Sequence, residues 1–510
     1  MDRVVLKLFL AALLVCGNCV IHAQELRVAY SEVMTAPDDS TRFHTLWQLH
    51  SKALENGWMV SYKGVDTLRL DIPSDAQSIP LGSLNDFSGT VLVVRNNSHH
   101  LFLFSHEPAN DMSPLNGPAT TSGNRLLSAI DSGDYRCLPL LREGRWLVEV
   151  TDSTPWVSQR EGRSYGHYRK ELVYVENGLS ADRPATPYSG SSSRASLRCR
   201  PLGDDTLFAF GNLTLLRDSN STYRTCLLDL NEQVNAYLHH IVVVTPPSTL
   251  TEDRLLRIYN CYRVTLDQIS ILGTYSRSNH SGYGILMDNC RHTLVQHLYA
   301  RSAWGIFGTN NMHSTVIEES DFNRFDIHCY GRDVTIRRCR QQDGYNQYSS
   351  VYGTILYSGC TFSNFTPILI EASYNAYPHF SFEMTNCNWH LTRQRHTLMM
   401  AGRLDNGNPA RPELQEKCLP DIRLSGLSLT AERRVRILTL LHYNGTIVPK
   451  TIGGIRHISI SDLSGNPLRL QLIDHPSSLA LSNKVSLTLP SGSRQLHQFK
   501  KKSLSLINTH

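Results

Sequence analysis

Cys261-Tyr-Arg-Val-Thr-Leu, Cys290-Arg-His-Thr-Leu-Val, Met312-His-Ser-Thr-Val-Ile and Gly331-Arg-Asp-Val-Thr-Ile are one pattern written four times. Set one above another, their apolar and β-branched positions fall in register. A second line recurs beside them, because Cys339, Cys360 and Cys387 follow their strands at the same offset. A third line is Gly284-Ile285, Gly305-Ile306 and Asp326-Ile327, 21 residues apart each time, with Gln347 at the next step. Short β-branched strands repeating about every 20–25 residues between Gly, Asn and Ser describe a solenoid. No segment of 258–390 carries a helical period, which excludes leucine-rich and ankyrin arrays.

A right-handed parallel β-helix satisfies the pattern. Three short strands make a coil, and coils rise by about 4.8 Å. Inward positions become columns of Ile, Val, Leu and Cys, and turn asparagines (Asn260, Asn289, Asn310, Asn386) can bond along their own ladder. The texture apolar-x-Asn-Cys-x-x-Val-Thr-Leu resembles the pectin-lyase-like superfamily over 255–390, and more loosely over 200–470. That resemblance implies the fold and a bacterial, carbohydrate-active setting, and it carries no site. Between 258 and 390 the chain lacks the Asn-Thr-Asp, Asp-Asp, Gly-His-Gly and Arg-Ile-Lys series of the polygalacturonase-like hydrolases. No lysine occurs from 171 to 416, so the Lys–Arg pair of the alginate-lyase-like β-helices cannot exist in the repeats.

The chain has 510 residues, enough for one elongated domain with a cap. Residues 1–23 read as a secretory signal: Arg3 and Lys7, an apolar run, then Ile21-His-Ala before Gln24. The expected address is periplasmic or extracellular, in a Gram-negative bacterium, with no membrane span. Of 12 cysteines, Cys16 and Cys19 fall in the signal, leaving 12 − 2 = 10. The repeat reads them as inward-packed thiols, with disulfides between stacked neighbours as the alternative. A net charge of +5, carried in the repeats by arginine and histidine alone, suits an anionic partner. The run Lys500-Lys-Lys is read as a solvated tail, with no nucleic-acid partner and a monomeric protein expected.

Along the chain, residues 24–105 read as an N-terminal cap and first coils. Asp38 caps a helix with Phe43, Leu46, Trp47, His50 and Leu54 on one face and Gly57 as its stop. Such a cap is needed because an open coil exposes apolar core and unpaired edges. Turns are expected at Asn85-Asp86 and after Arg95. Residues 106–200 read either as early coils with long insertions or as a separate small β domain. The β-helix proper spans 201–470, lengthened by an excursion at 274–282 and an insertion at 393–417. Residues 471–510 form a C-terminal segment and tail.

If Ile285, Ile306 and Ile327 face the core, alternation turns Gly284, Gly305 and Asp326 to solvent. Arg324, Asp326 and His328 then project from one face, with Tyr345 and Gln347 one coil later and Tyr283, Arg301 and Trp304 at the margin. Two chemistries fit such a row. In β-elimination, Arg324, with Arg301, neutralises a uronate carboxylate. His328 or Tyr345 takes the α proton, and Asp326 orients His328 or holds calcium. In glycoside hydrolysis a second carboxylate must join Asp326, from Asp321, Asp343 or a loop. Elimination on an acidic polymer, glycosaminoglycan or pectic, is the first expectation and hydrolysis the second. A non-catalytic carbohydrate-binding or structural β-helix is the third, the Arg-Asp-His row then being a surface ion cluster. As outward residues, Arg324 and His328 should be replaceable without loss of melting temperature.

Overall fold

The long strands Phe208–Arg217, Val234–Thr245 and Tyr262–Gly273 are each bent around the core at a left-handed residue, and the latter two carry another, Asn235 and Arg263, near their start. In Tyr262–Gly273, Val264 and Leu266 are buried, and the inward parity then shifts to Ile269 and Ile271 across Gln268, at φ +54°. The same shift occurs at Asn212 in Phe208–Arg217 and at His240 in Val234–Thr245. Holding a side chain in that region costs about 1–2 kcal/mol. The bend is kept because each such amide donates to the next coil: Glu319 to the Arg337 carbonyl at 3.1 Å, Arg338 to Ser358 at 2.8 Å.

The computed structural model describes residues 25–27, 30–95, 100–104, 121–152, 167–188, 195–203, 207–217, 226–245, 255–273, 283–301, 305–342, 344–349, 351–371, 379–403, 421–431, 437–443, 455–463, 470–474, 485–488 and 504–506. Stacked coils build two parallel sheets of 21 and 12 strands, a right-handed parallel β-helix. One continuous core of Ile, Val, Leu, Phe and Cys runs along its axis.

The four opening hexapeptides stack as read, with Thr293 on Thr315 and Thr315 on Val334. Cys261, Cys290, Cys339, Cys360 and Cys387 are buried free thiols, like Cys199 and Cys329; Cys137 is exposed. Each ladder thiol donates to the carbonyl two residues back, from Cys261 to Tyr259 at 3.0 Å and from Cys339 to Arg337 at 3.3 Å. The asparagine ladder runs Asn289 to Asn260 to Asn231, at 3.0 and 3.3 Å. Asn386 belongs to a different turn, beside Gly426, and in the first ladder Asn311, not Asn310, takes the left-handed position.

The 21-residue step needs correction. Ile285 lies against Phe307 rather than Ile306, and Asp326 against Gly308 rather than Gly305. Coils differ in length because turns differ, so a fixed step drifts off the true register. The outer column of the second sheet is Leu103, Asp229, Arg257, Leu286, Gly308, Asp326, Gln347, Leu369, Met400, His442 and Asp474.

The N-terminal helix spans Asp39–Glu55, with Asp38 accepting from the Thr41 amide. It buries Phe43, Leu46, His50 and Ala53, while Trp47 packs at the margin and Leu54 is exposed, contrary to the expected face. Beneath it Tyr62 stacks on Phe87 at 4.4 Å, and Phe102 and Phe210 close around Phe87. Asn85-Asp86 is no turn: it lies inside Leu84–Arg95, whose irregularity is at Ser88 and Gly89, both at positive φ.

Among the described residues of 106–200, three strands form a small antiparallel sheet. Arg145–Asp152 pairs antiparallel with Arg169–Glu176 and Ala195–Pro201, and helix Thr121–Ser132 packs on them around a separate core. This unit docks on the solenoid through buried charge. The Tyr330 hydroxyl donates to Glu171 at 2.6 Å, Arg169 Nε donates to Tyr330 at 2.7 Å, and Arg291 pairs with Asp182 at 3.1 Å. The expected insertion at 393–417 starts later, because Arg395–Arg403 is a strand of the second sheet. The excursion at 274–282 lies outside the described residues. In the tail, Leu504–Leu506 pairs with Val485–Thr488. No helix among the described residues is long and apolar enough to cross a membrane.

Candidate functional site

Strand Phe325–Cys329 sits in the second sheet between Gly305–Asn310 and Asn346–Tyr348. Phe325 and Ile327 fill the core. Asp326 points to the other side, as alternation requires, and yet it is fully buried, with Arg324 4 % exposed. The expectation of a solvent-facing row therefore fails. Arg324 Nε donates to both Asp326 oxygens, at 2.8 and 2.7 Å, and Nη2 donates to Gln347 Oε1 at 3.0 Å. The Arg324 guanidinium also lies 4.4 Å from the centre of the Tyr345 ring. A charge pair can leave water only when satisfied in this way. Burial pushes the Asp326 carboxyl up, but the Arg324 charge and the His328 hydrogen bond outweigh it and hold the group below its ordinary value.

His328 is the residue left over where the register shifts between Ile327 and Cys329, and its Nε2 lies 3.4 Å from Asp326 Oδ2. Tyr345 and Gln347 come to the site as expected. Arg301 does not: its Nε donates to Asp321 Oδ1 at 2.7 Å, and its guanidinium rests on Tyr299. Trp304 and the side chain of Tyr283 lie outside the described residues. Calcium does not fit Asp326, because the Arg324 guanidinium faces both of its oxygens. Among the described residues no group of three or more His, Cys, Asp or Glu is placed to hold a metal.

Beside the buried pair opens a cleft of about 530 Å³. Arg324, Tyr345, Phe365, Leu369, Arg393 and Met400 are among its walls, and among the described residues no carboxylate lines it; Asp343, between the lining Gln342 and Gly344, lies outside them. Arg393, Phe365 and Met400 were not legible as site residues. Arg393 is exposed, on the turn after Asn388–Leu391, with its guanidinium 5.5 Å from the centre of the Phe365 ring. Buried His396 fixes that turn by accepting the Arg393 amide at 2.8 Å, between the Trp389 and Phe365 rings. Burial lowers the His396 imidazole from its ordinary value, as an acceptor nitrogen requires. Trp389 Nε1 donates to the Asn364 carbonyl at 3.1 Å, and Asn364 donates to Gly344 at 2.8 Å, tying the walls together. Inside the solenoid, Asn346 accepts the Phe325 amide at 2.9 Å and bonds Gln341 and Tyr357. That buried polar network fixes the strand from below.

Chemically, the cleft offers two arginines against aromatic faces, one phenol and apolar side chains. Arg324 is balanced by Asp326. Among the described residues Arg393 has no carboxylate partner.

No protein-family model matches the chain, and no curated protein matches it in sequence. Among solved structures it is similar to the tailspike protein gp49 from Pseudomonas phage LKA1, at 13% identity and a TM-score of 0.45, over 90% of this chain and 78% of that one. It is also similar to the Gp54 tailspike of Acinetobacter baumannii bacteriophage AP22, solved in complex with A. baumannii capsular saccharide. That match has 13% identity and a TM-score of 0.43, over 90% and 76% of the two chains. At such scores the likeness adds nothing to the reading of the site.

Proposed function

We propose that the protein is a polysaccharide lyase that breaks a uronate-bearing polymer by β-elimination in the cleft. The observation that carries this reading is the wall chemistry: two arginines on aromatic faces, a phenol and, among the described residues, no lining carboxylate. Hydrolysis by the common route asks for two carboxylates about 5–9.5 Å apart across the bond. Asp326 is sealed behind Arg324, Asp321 is held by Arg301, and Asp343 lies outside the described residues.

Elimination asks for a cation on the uronate carboxylate, a base for the α proton and a donor for the departing oxygen. Arg393 takes the carboxylate, which makes the C5 proton acidic. Tyr345 in its phenolate form accepts that proton, the C4–O4 bond breaks as C4=C5 forms, and the tyrosine hydroxyl so formed gives the proton to O4, restoring the phenolate. Arg324, itself held by Gln347, supports the Tyr345 ring, and the Phe365 face receives a sugar ring. Export to the periplasm or beyond, expected from residues 1–23, would put the enzyme where such polymers are met.

The test is incubation of the protein with polygalacturonate, alginate, heparin and chondroitin sulfate, following reducing ends and unsaturated-uronate absorbance together. Both signals should rise on one of them, and Tyr345→Phe and Arg393→Ala should each lower the rate at least about 100-fold with melting unchanged. Reducing ends without absorbance would replace elimination by hydrolysis.

A further inference from the structure

The cleft has an apolar corner that the elimination step does not use. Along the outer column of the second sheet, Asp326 and Gln347 are both hydrogen-bonded to Arg324, and the next two rungs are Leu369 and Met400. Ile368 and Ile370 fill the core on either side of Leu369, so Leu369 takes the outer side of its strand. Leu369 and Met400 both line the cleft, with Phe365 on the turn before Ile368–Glu371. Phe365 is 42% exposed even with the Arg393 guanidinium 5.5 Å and the His396 ring 5.8 Å from its centre. Leu369 is only 6% exposed, and Met400 beside it is half-buried. What Leu369 offers is a patch no larger than a methyl group, too small for the face of a sugar ring.

We infer that Leu369, Met400 and Phe365 seat the methyl end of an acyl group, so that the polymer carries acylated sugars beside its uronates. The inference rests on the reading of the cleft as a saccharide site and deepens it by naming a substituent. An unsubstituted uronate presents hydroxyls and a carboxylate. Laid on Leu369 and Met400, those groups would lose water with no hydrogen bond in return. A flat sugar face stacks on an aromatic ring, which the cleft offers at Phe365, whereas Leu369 and Met400 offer no flat surface. An acyl methyl fits the small patch, and an unbranched methionine adapts its shape to it. Leu369 lies one rung past Gln347, about 4.8 Å along the axis, and Tyr345 stands two residues before Gln347. A pyranose is close to one rung in length, so the acylated sugar is the neighbour of the uronate that reacts. The group is the acetamide of a hexosamine or an O-acetyl ester, and both end in the same methyl.

The test is affinity electrophoresis of the full chain through polymers that differ by one methyl per repeat. Heparosan, which alternates uronate with N-acetylhexosamine, is compared with the same polymer de-N-acetylated and then N-formylated, which keeps a neutral amide without the methyl. O-acetylated alginate against its saponified form tests the ester in the same way. The acetylated member of one pair should be retained about fourfold more tightly. Leu369→Thr and Met400→Thr should each remove that preference, whereas Arg393→Ala should weaken both members alike. Equal retention within both pairs, with loss in Arg393→Ala, would remove the acyl seat and keep the cleft. A preference that survives Leu369→Thr and Met400→Thr would place the seat elsewhere and overturn the inference. Retention unaffected by Arg393→Ala would remove the cleft reading, and the seat with it. A wild-type protein retained by polygalacturonate alone would remove the seat and keep the cleft, and one retained by none of these polymers would overturn both. Melting curves identify any loss that comes from unfolding. If Leu369→Thr does not fold, Met400→Thr at the half-buried position carries the comparison, and the wild-type preference needs no variant.

Discussion

At the scale of the residue, Arg324 and Asp326 are the pair on which the site turns, and their burial changes what a mutation there reports. Removing one partner leaves a charge stranded out of water, at a cost of about 3–5 kcal/mol. Arg324→Ala should therefore lower the denaturation midpoint markedly, against the expectation from alternation alone, and so should Asp326→Ala. Urea unfolding would check this, and an unchanged midpoint would mean that the pair is solvated. Loss of activity in either variant says little about chemistry, whereas Tyr345 and Arg393 are clean probes. The Asp326 carboxyl sits below its usual value of 3.8 in the folded chain, so its contribution is intact above that pH. It fails only as pH falls through the lower folded value.

At the scale of the element, the capping helix has its own pH dependence. His50 is buried with Nε2 2.5 Å from the Tyr62 hydroxyl, and burial lowers its imidazole from 6.5 to about 3. Between those values the unfolded chain binds a proton that the folded chain refuses, so stability rises with pH across that window and is lost on acidification. Melting temperature should fall from pH 7 to pH 5, and less so in His50→Leu; an equal fall in both would place the sensitivity elsewhere. His297 works in the opposite sense. Its ring nitrogens meet Asp267 at 2.8 Å and Glu319 at 3.2 Å, which raises the imidazole above 6.5. That half-exposed contribution is full below pH 6.5 and lost as pH rises through the folded value. The thiol ladders give a third test at this scale. Of the eight described free cysteines only Cys137 is exposed, and burial pushes the Cys199 thiol up to about 12. A thiol reagent should find Cys137 rapidly and the other seven only on unfolding; fast reaction of Cys339, Cys360 or Cys387 would contradict the packed core.

At the scale of the molecule, the solenoid is a rigid ruler on which polar groups are set out by rung. The cleft draws on successive coils: Arg324 and Tyr345 from two, Phe365 and Leu369 from the next, and Arg393 and Met400 from the turn and strand that follow. Its walls are tied by Trp389, Asn364 and His396 rather than by their own strands. The small antiparallel unit sits elsewhere, against the turn that carries Arg291 and Tyr330, and its buried Glu171 and Arg169 fix it to the solenoid.

The sequence by itself determined the coil, the inward columns, the stacked thiols and the capping helix. In a solenoid the partner of each residue is its counterpart one coil on, so a repeated local pattern already states the tertiary contact. Tyr345 and Gln347 were legible for the same reason. Only the tertiary structure decided the register of the outer column, because turns of unequal length make the steps 22, 18, 21 and 22 residues from Leu286 to Leu369. It also decided that Arg324 and Asp326 are buried. Alternation tells which side of a strand a residue takes, but not whether Tyr345 and Gln347 from the next coil will cover it. Arg393 could not be read at all, since its place depends on a strand, Arg395–Arg403, whose outward side chains hide its pattern, and on a buried histidine that accepts one amide.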